Sequence, residues 1–68
     1  MFYTYVLKSK KDNKLYIGFS SNLQKRFTEH NKGLVGITKS RRPFELVYYE
    51  ACCDMKKAVE REKALKTG

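Results

Sequence analysis

A chain of 68 residues with 41% hydrophobic content, five tyrosines and four phenylalanines is one small domain, too short for two cores and too apolar to stay disordered. Fifteen Lys and Arg against seven Asp and Glu give a net charge of +8 and a pI near 9.7. That density favours a polyanionic partner, nucleic acid first, over a basic surface that serves only solubility.

No stretch approaches the roughly 20 apolar residues of a spanning helix, and no segment joins a long apolar face to a basic one, so a membrane partner is not expected. The N-terminus lacks a secretory pattern, because Lys8, Lys10 and Lys11 follow the apolar residues rather than precede them, and the expected location is cytoplasmic.

Phe2 to Lys8 is rich in aromatic and β-branched residues and alternates, with Phe2, Thr4, Val6 and Lys8 on one face and Tyr3, Tyr5 and Leu7 on the other. Asp12-Asn13 marks the turn into a second strand, Leu15 to Phe19, and the two strands read as an antiparallel hairpin. Leu15, Ile17 and Phe19 share a face, which leaves Tyr16 and Gly18 on the other. Gly18 followed by Ser20-Ser21-Asn22 reads as a break with helix-capping residues.

Leu23, Phe27 and His30 then recur at helical spacing, and Gly33 is a suitable C-terminal stop. Arg26 and His30, four apart, share a face of this helix. Leu34 to Pro43 reads as a loop carrying Lys39, Arg41 and Arg42, and Phe44 to Glu50 as a third strand with Phe44, Leu46 and Tyr48 opposite Glu45, Val47 and Tyr49.

Asp54 caps a last helix reaching about Thr67, with an apolar stripe of Met55, Ala58, Val59 and Leu65. Glu62 falls inside that stripe. A carboxylate there must be paired, protonated or bound to a cation, which leaves a salt bridge to a residue such as Arg26 or a metal site. Lys66-Thr67-Gly68 reads as a helix stop, and the chain as C-terminally short. Cys52 and Cys53 are neighbours that cannot bridge without straining the peptide between them, and they read as small, partly buried fillers. With a single histidine in the chain they do not make a zinc site.

The motifs resemble the GIY-YIG endonuclease family, and its small stand-alone members in particular, over nearly the whole length. Tyr16-Ile17-Gly18 matches the second signature fully, while Tyr3-Thr4-Tyr5 keeps only the tyrosine of the first. Tyr5 precedes Tyr16 by eleven residues, Arg26 follows Tyr16 by ten, His30 follows Arg26 by four, and Glu62 closes an Ala-x-x-x-Glu pattern from Ala58.

The resemblance implies a single α/β domain of the α+β type over residues 1–68, a three-stranded antiparallel sheet flanked by helices. It implies hydrolysis of DNA phosphodiester bonds, in DNA repair or recombination, with one divalent cation, Mg²⁺ or Mn²⁺, held by Glu62. Tyr5 would be the general base, Arg26 would stabilise phosphate charge, Tyr16 would orient water or phosphate, and His30 would assist.

The family's chemistry fits these residue types. Acceleration at an already anionic phosphodiester comes from positioning and placed cations, and Arg26 offers a planar set of donors. A tyrosine has an ordinary pKa of about 10, so as a base it needs a nearby cation, either the metal or Lys8. Because Lys8 and Tyr5 alternate, Lys8 could help only through a bulge or twist. Lys8, Lys39, Arg41 and Arg42 are the expected nucleic-acid contacts. A protein partner or a homodimer completing the domain is compatible with the sequence. The competing functional class is a nucleic-acid-binding module that keeps the fold and charge without cleaving, and a folding-only remnant is the third.

Overall fold

The computed structural model describes residues 1–67. In chain order these form β1 (Phe2–Ser9), β2 (Leu15–Ser20), α1 (Leu23–Lys32), a 3-10 turn (Lys39–Arg41), β3 (Phe44–Cys52) and α2 (Met55–Thr67). The sheet has the order β2-β1-β3 and both pairings are antiparallel, as the α+β reading requires. Thr4, Tyr5, Val6 and Leu7 are all buried, because β1 is the central strand and each of its faces is covered.

One cover is α1. Leu23 and Phe27 pack on the cluster of Tyr5, Leu7 and Phe44, together with Tyr16 and Leu46. The other is α2, whose Ala58 is buried and accepts a hydrogen bond from the Thr4 hydroxyl through its carbonyl at 2.9 Å. Glu50 ties β3 to α2 by accepting from Arg61 Nε at 2.9 Å.

Local chemistry sets the ends of these elements. Asn22 caps α1 by accepting from the Lys25 N–H at 3.1 Å. Gly33 ends it in the left-handed region at φ 78°, where a side chain is unfavourable. Asp54 accepts from the Lys56 N–H at 2.9 Å at the start of α2. The helix stop expected at Gly68 lies outside the described residues. Asn31 then fastens the end of α1 to the start of β3 with two side-chain bonds to the Phe44 backbone, at 2.7 and 3.2 Å.

The β1–β2 turn turns on Ser9, which is fully buried. Its hydroxyl donates to the Arg41 carbonyl at 2.6 Å and accepts from the N–H groups of Lys11 and Asp12 at 3.1 and 3.2 Å. Asn13 adopts φ 60°, which an asparagine tolerates.

Four expectations are corrected. Gly18 is not a break: β2 continues to Ser20, and Gly18 is buried opposite Tyr5. The third strand does not alternate throughout, since the β1–β3 register shifts between Val6 and Leu7. Leu7 therefore opposes Leu46 whereas Val6 opposes Tyr48, so Tyr48 leaves the face of Phe44 and Leu46, and Tyr49 takes its place opposite Tyr5. Met55 is 54% exposed and does not belong to the buried stripe of α2. Cys53 is exposed and fills nothing, whereas Cys52 is half-buried.

Leu7, fully buried at the centre of the sheet, is the best single probe of this core. Leu7→Ala is expected to lower the unfolding free energy by about 2–5 kcal/mol, measured by urea denaturation. Val47→Ala at the exposed bulge should stay within about 0.5 kcal/mol of the parent.

Candidate active site

Tyr5 and Tyr16 reach the same face because both belong to one antiparallel register, in which Tyr5 opposes Gly18 and Leu7 opposes Tyr16. The Tyr5 ring leans directly over Gly18, and a Cβ added there would collide with the phenol hydroxyl and the carbon that bears it. The glycine of Tyr16-Ile17-Gly18 thus makes room for the other tyrosine. No left-handed backbone is involved.

The Tyr5 hydroxyl, with its residue 1% exposed, lies 3.0 Å from His30 Nε2. His30 projects from the last turn of α1 and is itself fully buried. Its ring is held between aromatic neighbours, with centroids 5.1 Å from Tyr16, 5.9 Å from Tyr5 and 6.0 Å from Phe44, all edge to face. On the far side His30 Nδ1 lies 2.7 Å from the Thr38 hydroxyl.

Arg26, one turn earlier on α1, sits beside the Tyr5 hydroxyl and reaches Glu29 at 3.4 Å. It also lines a polar cleft of about 580 Å³ with Ser20, Ser21, Asn22, Lys25 and Glu29. A phosphate oxygen in that cleft would meet the guanidinium directly.

The electrostatics of this cluster follow from burial. Burial pushes the Tyr5 pKa up; the Arg26 guanidinium opposes this, while the negative charge of Glu62 adds to it. Burial likewise pushes the His30 pKa below its ordinary value, and the nearby Arg26 charge acts in the same direction. His30 is therefore a neutral imidazole at pH 7. Burial works against the charge on Arg26, but the Tyr5 hydroxyl and Glu29 outweigh it, so its pKa is raised.

Glu62 lies on α2, near enough for its charge to act on Tyr5, with its side chain 19% exposed. Its partner is not Arg26. Glu62 Oε2 pairs with Lys66 Nζ at 2.8 Å, one helical turn on. Among the described residues no group of three or more His, Cys, Asp or Glu could hold a metal. A single half-buried carboxylate fits an ion such as Mg²⁺ that keeps most of its water ligands, and does not fit a fully protein-ligated one.

The basic residues divide. Lys8 is exposed, and β1 keeps an unbroken register with β2 there, so Lys8 alternates away from Tyr5. The register shift belongs to the β3 pairing and does not bring the two together. Arg41 is not a free cation: its Nε donates to Asp12 at 3.0 Å and its guanidinium lies 5.7 Å from the Phe44 ring centroid. The Lys14 N–H and Arg41 together lower the Asp12 pKa to about 2. Lys39 and Arg42 remain exposed.

Sequence reading passed over Lys25, Ser20 and Ser21 as cleft residues, and Thr38 as a histidine partner. Lys25 had a signal, being a cation adjacent to Arg26 in the first turns of a helix. Thr38 had none, because it lies in a loop without periodicity.

With this geometry in view, the comparisons are specific. The chain matches the GIY-YIG catalytic domain over residues 1–67, and it belongs to that family. GIY-YIG domains are in general nuclease domains that act on nucleic acids.

Within the family it is similar to the UPF0213 proteins. It is 42% identical to one from Staphylococcus haemolyticus over 66 residues, covering 96% of this chain and 79% of that protein. It is 47% identical to one from Desulfotalea psychrophila over 57 residues, 81% of this chain. The chain spans about half the length of the latter, 52%. The solution NMR structure of a UPF0213 protein from Bacillus halodurans superposes with a TM-score of 0.62 at 30% identity, covering all of this chain and 73% of that one.

Because His30 is the only histidine and is buried neutral, it carries a distinct pH signature. The unfolded chain takes up a proton near pH 6.5 while the folded one resists until lower pH, so stability is full above about 6.5 and falls as the pH drops below it. Melting temperatures between about pH 7 and 5 should decline for the parent and stay flatter for His30→Gln. Equal slopes would show that His30 is not held neutral.

Proposed function

We propose that the protein is a divalent-cation-dependent endonuclease that hydrolyses phosphodiester bonds in DNA. The observation supporting this best is the Tyr5 hydroxyl set 3.0 Å from His30 Nε2 and within the influence of the Arg26 guanidinium, which itself lines an open polar cleft. A structural tyrosine needs one partner for its hydroxyl, and these two differ in what they can do for a proton.

A buried phenol with a raised pKa is a poor base on its own. Coupled to His30 it acts differently. As the water oxygen bonds to phosphorus, its proton passes to the Tyr5 oxygen while the Tyr5 proton passes to His30 Nε2. The bond from phosphorus to the 3′ oxygen breaks, and the alkoxide takes a proton from solvent. His30 then releases its proton to solvent, which leaves one phosphate monoester and one hydroxyl. Arg26 donates to the phosphate oxygens as charge builds on them, and Tyr16 orients water or phosphate from the rim.

Glu62 would hold the cation, Mg²⁺ or Mn²⁺, which supplies positive charge for the leaving oxygen. To hold it, Glu62 Oε2 would give up its pair with Lys66. Lys25 and Lys39 are the side chains placed to meet neighbouring DNA phosphates, with Arg42 holding its Nε on the Lys39 carbonyl at 2.9 Å and Arg41 committed to Asp12. Such contacts fix the backbone without reading sequence.

Nicking of supercoiled plasmid and of a branched DNA, with Mg²⁺ or Mn²⁺, tests the reading. The parent should cut, Glu62→Ala should lose the metal-dependent rate, and Arg26→Lys should slow it by about 10²–10³ at saturating DNA. Both variants should still bind DNA with a steep salt dependence. A parent that binds in this way but never cuts would instead be a binding module, and normal cutting by Glu62→Ala would remove that residue from the site.

A further inference from the structure

Buried histidines with both ring nitrogens engaged exist in one defined tautomer, and the group that decides which one controls what the other nitrogen can do. His30 is such a case. It is fully buried, with Tyr5 Oη 3.0 Å from Nε2 and Thr38 Oγ1 2.7 Å from Nδ1. A neutral imidazole has one N–H to place between them.

Thr38 is also fully buried, and its hydroxyl has an acceptor of its own, the Val35 carbonyl at 3.3 Å. With the hydroxyl hydrogen directed to Val35, Thr38 Oγ1 turns a lone pair toward Nδ1. The ring proton then sits on Nδ1, and Nε2 is bare.

The backbone holds this arrangement in place. The Thr38 N–H donates to the Val35 carbonyl at 3.1 Å, and the Thr38 carbonyl accepts from the Arg41 N–H at 3.0 Å. Arg41 is in turn anchored to Asp12, and its carbonyl to Ser9. The threonine is thus fixed by the hairpin turn as well as by its own loop.

We propose that Thr38 is a positioning residue that locks His30 as its Nδ1–H tautomer, leaving Nε2 free to receive the Tyr5 proton. In the opposite tautomer Nε2–H points at the phenol oxygen, and the histidine can take no proton from it. The histidine side chain in water favours Nε2–H, so the lock works against the intrinsic preference. The catalytic part of this inference rests on the proposed reading of Tyr5 and His30, whereas the tautomer itself does not.

The test is a long-range ¹H–¹⁵N spectrum of the ¹⁵N-histidine-labelled chain near pH 8, where the single His30 gives one pair of ring-nitrogen signals. The parent should show a protonated Nδ1 and an unprotonated Nε2. Thr38→Val, similar in shape but without the hydroxyl, should move the population toward Nε2–H, and Thr38→Ser should restore the parent pattern. In the nicking assay at saturating DNA, Thr38→Val should be slower by about 10-fold or more, with DNA affinity unchanged, and Thr38→Ser should recover the rate.

A parent spectrum with Nε2–H overturns the proposal, as does a Thr38→Val spectrum identical to the parent's. If the tautomer follows Thr38 but neither protein cuts DNA, the lock stands and the nuclease reading fails.

Discussion

The Tyr5 hydroxyl is a polar group placed where almost no solvent reaches, and the fold surrounding it is arranged to satisfy it. An unpaired hydroxyl there would cost on the order of 1–3 kcal/mol, a large share of what so small a core can supply. The partners come from α1, His30 in its last turn and Arg26 one turn earlier, so α1 must pack at one depth and angle over the sheet. Gly18 is the matching requirement on β2, since any side chain would occupy the space of the phenol. Strand, helix and glycine are thereby bound to a single point.

That point is buttressed at a distance. The basic segment after α1 is not a loose cationic strap, because Ser9, Asp12 and Asn31 tie it and the start of β3 to the hairpin turn and to α1. These ties place Thr38 against His30. The same ties withdraw Arg41 from the surface charge, which shows how a cation in a basic cluster can serve structure rather than a ligand. Of the cations around the site, Lys25 and Arg26 line the polar cleft at the N-terminal part of α1.

Much of this architecture was legible in the residues themselves. Alternation from Phe2 to Lys8 and from Leu15 to Phe19 gave the hairpin, and with it the shared face of Tyr5 and Tyr16. Helical spacing and capping residues gave α1, and the spacing of Tyr5, Tyr16, Arg26, His30 and Glu62 pointed to the family. What escaped reading was contact between elements. Nothing local distinguishes Gly18 as space for a ring eleven or more residues away, and a glycine before serines and asparagine resembles a break. The bulge that redirects Tyr48 is a property of pairing with β1, invisible in β3 alone. Glu62, set in the apolar stripe, needs a partner, and the i,i+4 Lys66 satisfies it in place of a distant arginine. Thr38 lay in a stretch where periodicity carries no information.

Tyr5→Phe tests the central claim most directly, because it removes one oxygen while keeping the ring that packs over Gly18. The measurement is single-turnover cleavage of a DNA substrate at saturating protein with Mg²⁺ or Mn²⁺, alongside the circular dichroism spectrum and DNA affinity. The account predicts a folded protein that binds DNA as the parent does and cleaves it slower by about 10²–10⁴. A Tyr5→Phe protein that cleaves at the parent's rate would contradict it.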